Sequence, residues 1–158
     1  MQVHVLRLVP GDDLRVSLET AFAGLAKKNG IEAACIVSAV GSLSRAVLRY
    51  ADKPSGTDIN APVELLMLSG TLSPDGAHLH ASVADEHGEV KGGHLMPGCI
   101  VRTTAEVVIA LLPGWQFRRE LDAATGFTLA FSRLPSTDPV RGSPPLASET
   151  RRLRDPAS

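Results

Sequence analysis

Apolar and polar side chains alternate from Gln2 to Val9 with the period of two expected of a pleated strand, and Pro10-Gly11 ends the run. The period then lengthens. Leu14, Leu18, Phe22 and Leu25, with Ala21 beside them, fall on one stripe of a helix of about four turns. Asp12 or Asp13 suits its N-cap and Asn29-Gly30 its C-terminus. A helix packed on a sheet accounts for this stripe without any active role. Ile31 to Val40 reads as a short apolar strand ending at Gly41, and Arg45 to Ala51 alternates again, which predicts an antiparallel pair turning at Gly41-Ser42. Asp52 to Ala61 is a polar loop with Pro and Gly, mobile by default and placed to act as a lid if it covers a site.

Val63 to Leu72 is the next strand. Ser73-Pro74-Asp75-Gly76 then supplies Pro at the second and Gly at the fourth position of a type I turn, so a hairpin leads into the histidine-bearing strand that follows. Leu95-Met96-Pro97-Gly98 bends the chain, and Cys99 to Leu112 is one long or bent strand by its β-branched content. After the break at Pro113-Gly114, Trp115 to Thr125 is mixed and polar, and Phe127 to Arg133 reads as a final strand. From Pro135 the chain turns to Pro, Ser, Asp and Arg, which predicts a domain over 1–134 and a flexible tail over 135–158. The fold class is α+β: a mainly antiparallel β-sheet packed by one long N-terminal helix. Val63, Leu65, Met67, Val107, Ile109 and Leu111 are expected on a second apolar sheet face, which oligomerisation would cover.

Candidate chemistry concentrates between Gly76 and Leu95, which hold four of the five histidines. His78 and His80, two apart on a strand, project to one side. If Glu86-His87-Gly88-Glu89 reverses the chain, His94 returns toward them. Three imidazoles on one sheet face suit a divalent transition metal, zinc first, with a fourth position open. The plain alternative is a row of histidines facing water, since a lone HxH is a short and common pattern. His87 belongs to the turn and points to solvent. His4 belongs to the first strand as a solvated or hydrogen-bonded residue. Glu106, the single carboxylate of its apolar run, is a candidate ligand, supporting partner or catalytic base for the histidines, or equally half of an interface ion pair with Arg102 or a neighbouring subunit.

Composition narrows the choice of function. The chain has 158 residues, enough for one domain with a real core, and is 44% hydrophobic but only 4% aromatic. A formal net charge of −1 supplies no global field toward nucleic acid or anionic membrane. Cys35 and Cys99 sit in apolar runs as reduced thiols, with no disulfide framework. There is neither a signal-peptide pattern nor an apolar run of about 20 residues, and the expected location is cytoplasmic. P-loop, CxxC, GxGxxG and GxSxG patterns are all missing.

Taken together, Val63-Glu64-Leu65-Leu66-Met67-Leu68-Ser69-Gly70-Thr71-Leu72, His78-Leu79-His80, Gly92-Gly93-His94-Leu95, Gly98-Cys99 and Thr103-Thr104-Ala105-Glu106-Val107 resemble the plants-and-prokaryotes-conserved (PPC) domain from about Met1 to Leu134. The joint order of HxH, GGHL and TTAE is far more specific than any one of them. The resemblance implies a compact homotrimeric domain and, in prokaryotic members with all three histidines, a bound metal of zinc type held by His78, His80 and His94. It also brings the DNA-binding label of the plant relatives, whose Arg-Gly-Arg hook enters the minor groove. Here Arg141-Gly142 is followed by Ser143-Pro144, so the hook is missing and DNA is a candidate partner only by another route. Two functions compete: a homotrimeric metal-binding domain with a regulatory or DNA-associated role, and a metal-dependent hydrolase or lyase acting on a small polar ligand, with Glu106, Asp85 or Glu86 as base. A cupin-like barrel ranks below both, because no histidine follows His94. A purely structural trimerisation module remains the plainest reading.

Overall fold

In the computed structural model, residues 2–121 and 128–133 are described. The expected tail over 135–158 lies outside them. Strand β1 (Gln2–Leu8) leads into helix α1 (Leu14–Asn29), followed by β2 (Ala34–Arg49), β3 (Thr57–Ile59), β4 (Val63–Ser73), β5 (Gly76–Ala84), β6 (Val90–Leu95), β7 (Ile100–Leu111), β8 (Trp115–Leu121) and β9 (Thr128–Arg133). Seven strands form one antiparallel sheet in the order β1-β7-β2-β4-β5-β6, with β3 attached to β2, while β8 and β9 pair separately. The mixed stretch after Trp115 thus contains a strand that its polar sequence concealed.

Helix α1 spans 16 residues and buries Leu14, Leu18 and Phe22 against the sheet. Asp13 caps it, accepting hydrogen bonds from the Arg15 and Val16 amides, and Gly30 closes it in the left-handed conformation that glycine adopts without penalty. The other Asp13 oxygen accepts from the Gly98 amide at 2.6 Å, and the Leu14 amide donates to the Cys99 carbonyl at 2.8 Å. These bonds fasten the start of α1 beside the bend that joins β6 to β7. That placement matters for the histidines.

The predicted turn at Gly41-Ser42 does not exist: β2 is continuous through it. Gly41 is needed there for a different reason. A Cβ would overlap the Thr104 carbonyl and lie 2.7 Å from Ala105 Cα, so the glycine marks a close approach of β7. Register shifts around it let the long strand bend instead of reversing. The loop at 52–61 is also tighter than expected. Its centre is β3, paired with β2, and Arg45 donates from Nε to both Asp58 oxygens at 2.9 and 3.1 Å.

The strand from the histidine hairpin alternates as predicted: Ala77, Leu79, Ala81 and Val83 are buried, and His78, His80 and Ser82 lie on the opposite face. The expected bare face is corrected in its membership. Val63, Leu65, Val107, Ile109 and Leu111 are core residues, and only Met67 is exposed, because a register shift between Leu65 and Met67 changes the side on which the chain presents its side chains. Val3, Val5, Val37, Val40, Leu66 and Met67, on strands of the main sheet, are among the apolar residues left open. His4 lies opposite Ile109 on β1, half-buried, and its Nε2 is buried without a hydrogen-bond partner among the described residues.

Candidate metal centre

The hairpin turn at Pro74-Asp75 fixes the register of β5 on β4, with Ser73 donating to the Gly76 carbonyl at 3.0 Å. One requirement of this pairing is Gly70. At φ +135°, a Cβ there would overlap the His78 carbonyl, so only glycine lets β4 pass so close to the first histidine. After the turn at Glu86-His87, β6 returns with His94 directly opposite His80. Cross-strand partners share a face, which brings the three rings together. Their centroids lie 5.2 Å (His78–His80), 5.3 Å (His78–His94) and 5.3 Å (His80–His94) apart. One ring nitrogen from each falls within 4.8 Å of the others.

The His78–His80 pair of this donor set fits a tetrahedral ion. Two nitrogens bound to zinc at ordinary bond lengths stand about 3.3 Å apart, and the His78 and His80 Nε2 atoms are 3.2 Å apart. His94 Nδ1 is buried with no hydrogen-bond partner among the described residues, a cost that a neighbouring ligand or ion would relieve. Burial lowers the pKa of His94 to about 4, helped by the positive charges of Arg15 and Arg49 and by His78 and His80. A neutral imidazole is the form that donates to a metal.

Two residues missed by sequence reasoning complete the surroundings. Beyond the His80–His94 pair, β6 leaves β5 and joins β2 through Leu48–Leu95 and Arg49–His94. Arg15 fills the resulting fork. Its Nη1 donates to the Leu95 carbonyl at 2.6 Å, its Nη2 to the Ala77 carbonyl at 3.0 Å, and its Nε to Glu19 at 3.1 Å, while Nη1 also lies 3.3 Å from His94 Nε2. Glu19 in turn accepts from the Ala77 amide at 3.2 Å. The helix is therefore more than packing: it ties together the residues next to His78 and His94. Arg49, the second, is the cross-strand neighbour of His94 and lines a cleft with Tyr50, His80, Gly92, Gly93 and His94. Neither arginine carries a local sequence signal, since each meets the histidines only through tertiary pairing.

The proposed carboxylates lie elsewhere. Glu106 sits exposed on β7, in register with Arg7 and with Val40 of β2, which is nine residues along that strand from Arg49, the partner of His94. Asp85 holds the hairpin turn, accepting from the His87 and Glu89 amides at 3.0 Å each and facing Lys91 at 3.6 Å. Glu86 is on the same turn, 3.5 Å from His87, whose side chain is exposed as expected. That turn begins past Ala84, about 13 Å along the strand from His80 at roughly 3.3 Å per residue. Among the described residues, no Asp, Glu or Cys joins the histidine group. No helix among them is long and apolar enough to cross a membrane.

A family model described as the Plants and Prokaryotes Conserved (PCC) domain matches residues 1–113. A bifunctional GlmU protein from Synechococcus sp. (strain JA-2-3B'a(2-13)) is 45% identical over 145 residues, covering 92% of this chain, which spans only 22% of that relative's length. A hypothetical protein from Salmonella enterica superposes with a TM-score of 0.75 at 38% identity, covering 84% of this chain and 94% of its own. A protein from Archaeoglobus fulgidus described as metal-containing gives a TM-score of 0.64 at 31% identity, covering 82% of this chain and 92% of its own. The sheet order and the histidine hairpin thus carry a known domain, and the chain belongs to the Plants and Prokaryotes Conserved domain family.

Proposed function

We propose that the protein is a homotrimeric metal-binding module, with zinc the first choice of ion and His78, His80 and His94 its ligands. The observation that carries this reading is the near-equilateral group of rings, built from two adjacent strands, with the His78 and His80 Nε2 atoms at a spacing suited to tetrahedral binding. The metal-containing relative from Archaeoglobus fulgidus supports it. Bound there, zinc would supply Lewis-acid polarisation and a more acidic water in its open position. The chain's own part is to orient the rings: β4 and β5 fix His78 and His80, and Arg15 with Glu19 holds the fork beside His94.

A regulatory role accords with the match to a segment of a longer bifunctional protein. For DNA, a net charge of −1 requires the assembled trimer to gather whatever basic patch is used. A gel shift at physiological salt tests that part, and no retardation of any duplex would remove it. Trimer formation is supported by the exposed Val3, Val5, Val37, Val40, Leu66 and Met67. The second reading, a metal-dependent hydrolase or lyase, is favoured by the cleft that opens beside His80 and His94. Within one chain it needs a base other than Glu106, Asp85 or Glu86.

Elemental analysis of protein purified without a metal-affinity tag tests the central reading. About one zinc per chain, lost in His78→Ala/His80→Ala, is the expected result; equal metal content in both proteins would refute it.

A further inference from the structure

The cleft beside the histidines has one further component. Arg49, His94, His80 and Ser69 form a single cross-strand row through the pairings of β2 with β6, β6 with β5 and β5 with β4. Residues in such a row stand on one face with neighbouring Cβ atoms about 5 Å apart. The Arg49 guanidinium has no hydrogen bond or ion pair among the described residues, although it contributes positive charge at His94 and lines the cleft. Arg15 contrasts with it, since its guanidinium nitrogens are already taken up by Glu19 and two carbonyls. The cleft also stays open for a chemical reason. Gly92, on the same face as His94 and two residues before it, brings no side chain into the cleft.

We propose that this cleft is an oxyanion subsite in which Arg49 holds a carboxylate or phosphate group of a small ligand beside the three-histidine centre. The inference rests on the metal reading for the ligand's second anchor, the open position of the ion. Arg49 provides the first anchor. A guanidinium presents a fixed fork of donors that matches two oxygens of a carboxylate or phosphate, and an unpaired one next to a metal centre gives an anion two points of attachment. Gly92 leaves space for the ligand body, and Tyr50 lines the cleft. Ligands without an oxyanion lose the Arg49 contact and are discriminated against.

Calorimetric titration of the zinc-loaded protein with malonate and, separately, with inorganic phosphate tests the subsite, with zinc content measured on the same samples. At least one anion is expected to bind, and Arg49→Gln should weaken it about tenfold or more while retaining the wild-type zinc content. Arg49→Lys should recover part of the loss, because it restores the charge without the fork. Preference for malonate assigns a carboxylate ligand, and preference for phosphate a phosphorylated one. Unchanged binding in Arg49→Gln, or no heat with either anion, overturns the subsite. A wild-type protein that takes up no zinc refutes the metal reading instead. The subsite is then decided by whether the metal-free protein binds either anion in an Arg49-dependent way.

Discussion

At the scale of single residues, Arg15 is the side chain whose bonding pattern most exceeds its sequence signal. Only 13% of its side chain is exposed, and it donates to the carbonyls of Ala77 and Leu95, each adjacent to a histidine of the cluster. Its removal takes one charged donor from each of these carbonyls where the strands fork. Because hydrogen bonds to charged groups are stronger than neutral ones, Arg15→Met should lower unfolding free energy by about 3 kcal/mol in urea titration and reduce metal affinity. A loss below about 0.5 kcal/mol would show that the fork is held by other means. Cys99 gives a second prediction. Its side chain is fully buried, and burial pushes the thiol up to about 11, from 9.0. Native protein at pH 8 should therefore resist iodoacetamide at Cys99, whereas unfolded protein reacts. The sign for stability follows: the folded state keeps its proton longer, so this contribution is complete below pH 9 and is lost between about 9 and 11. Rapid native labelling of Cys99 would contradict the buried placement.

At the scale of elements, much of the hairpin was legible because local rules determine it. Period-two alternation places His78 and His80 on one face, and Pro74 with Gly76 specifies the turn. The helix caps at Asp13 and Gly30 are equally local. What stayed hidden depends on long-range approach. Gly41 looks like a turn in sequence, and only the passage of β7 against it shows that the strand runs on. Arg15 and Arg49 are 79 and 45 residues from His94, so no window along the chain links them to it. Glu106 shows the opposite case, since its place in an apolar run suggested chemistry, yet within one chain it faces Val40, nine residues along β2 from the partner of His94. Gly70 tests the strand account directly. Gly70→Ala forces a side chain against the His78 carbonyl at a positive φ, and should cost about 2 kcal/mol or more with a parallel loss of metal affinity. Wild-type stability and affinity in this variant would mean that β4 does not constrain β5 as described.

At the scale of the whole molecule, one helix and one face of the sheet build the core, while the opposite face carries both the histidine group and open apolar residues. Soluble chains seldom leave such residues clustered without a partner. Light scattering on the purified protein should give a mass three times that of the chain, and Val5→Asp with Met67→Asp should shift it toward monomer; a wild-type monomer would remove the trimer. In the proposed reading, His78, His80 and His94 act together as one metal centre. Titration with cobalt(II), followed by its visible absorption, tests that claim most directly because the spectrum reports both stoichiometry and geometry. The expected result is saturation at one cobalt per chain with a tetrahedral spectrum, abolished in His78→Ala/His80→Ala and in His94→Ala. A spectrum that never saturates, or one that survives loss of the histidines, would contradict it.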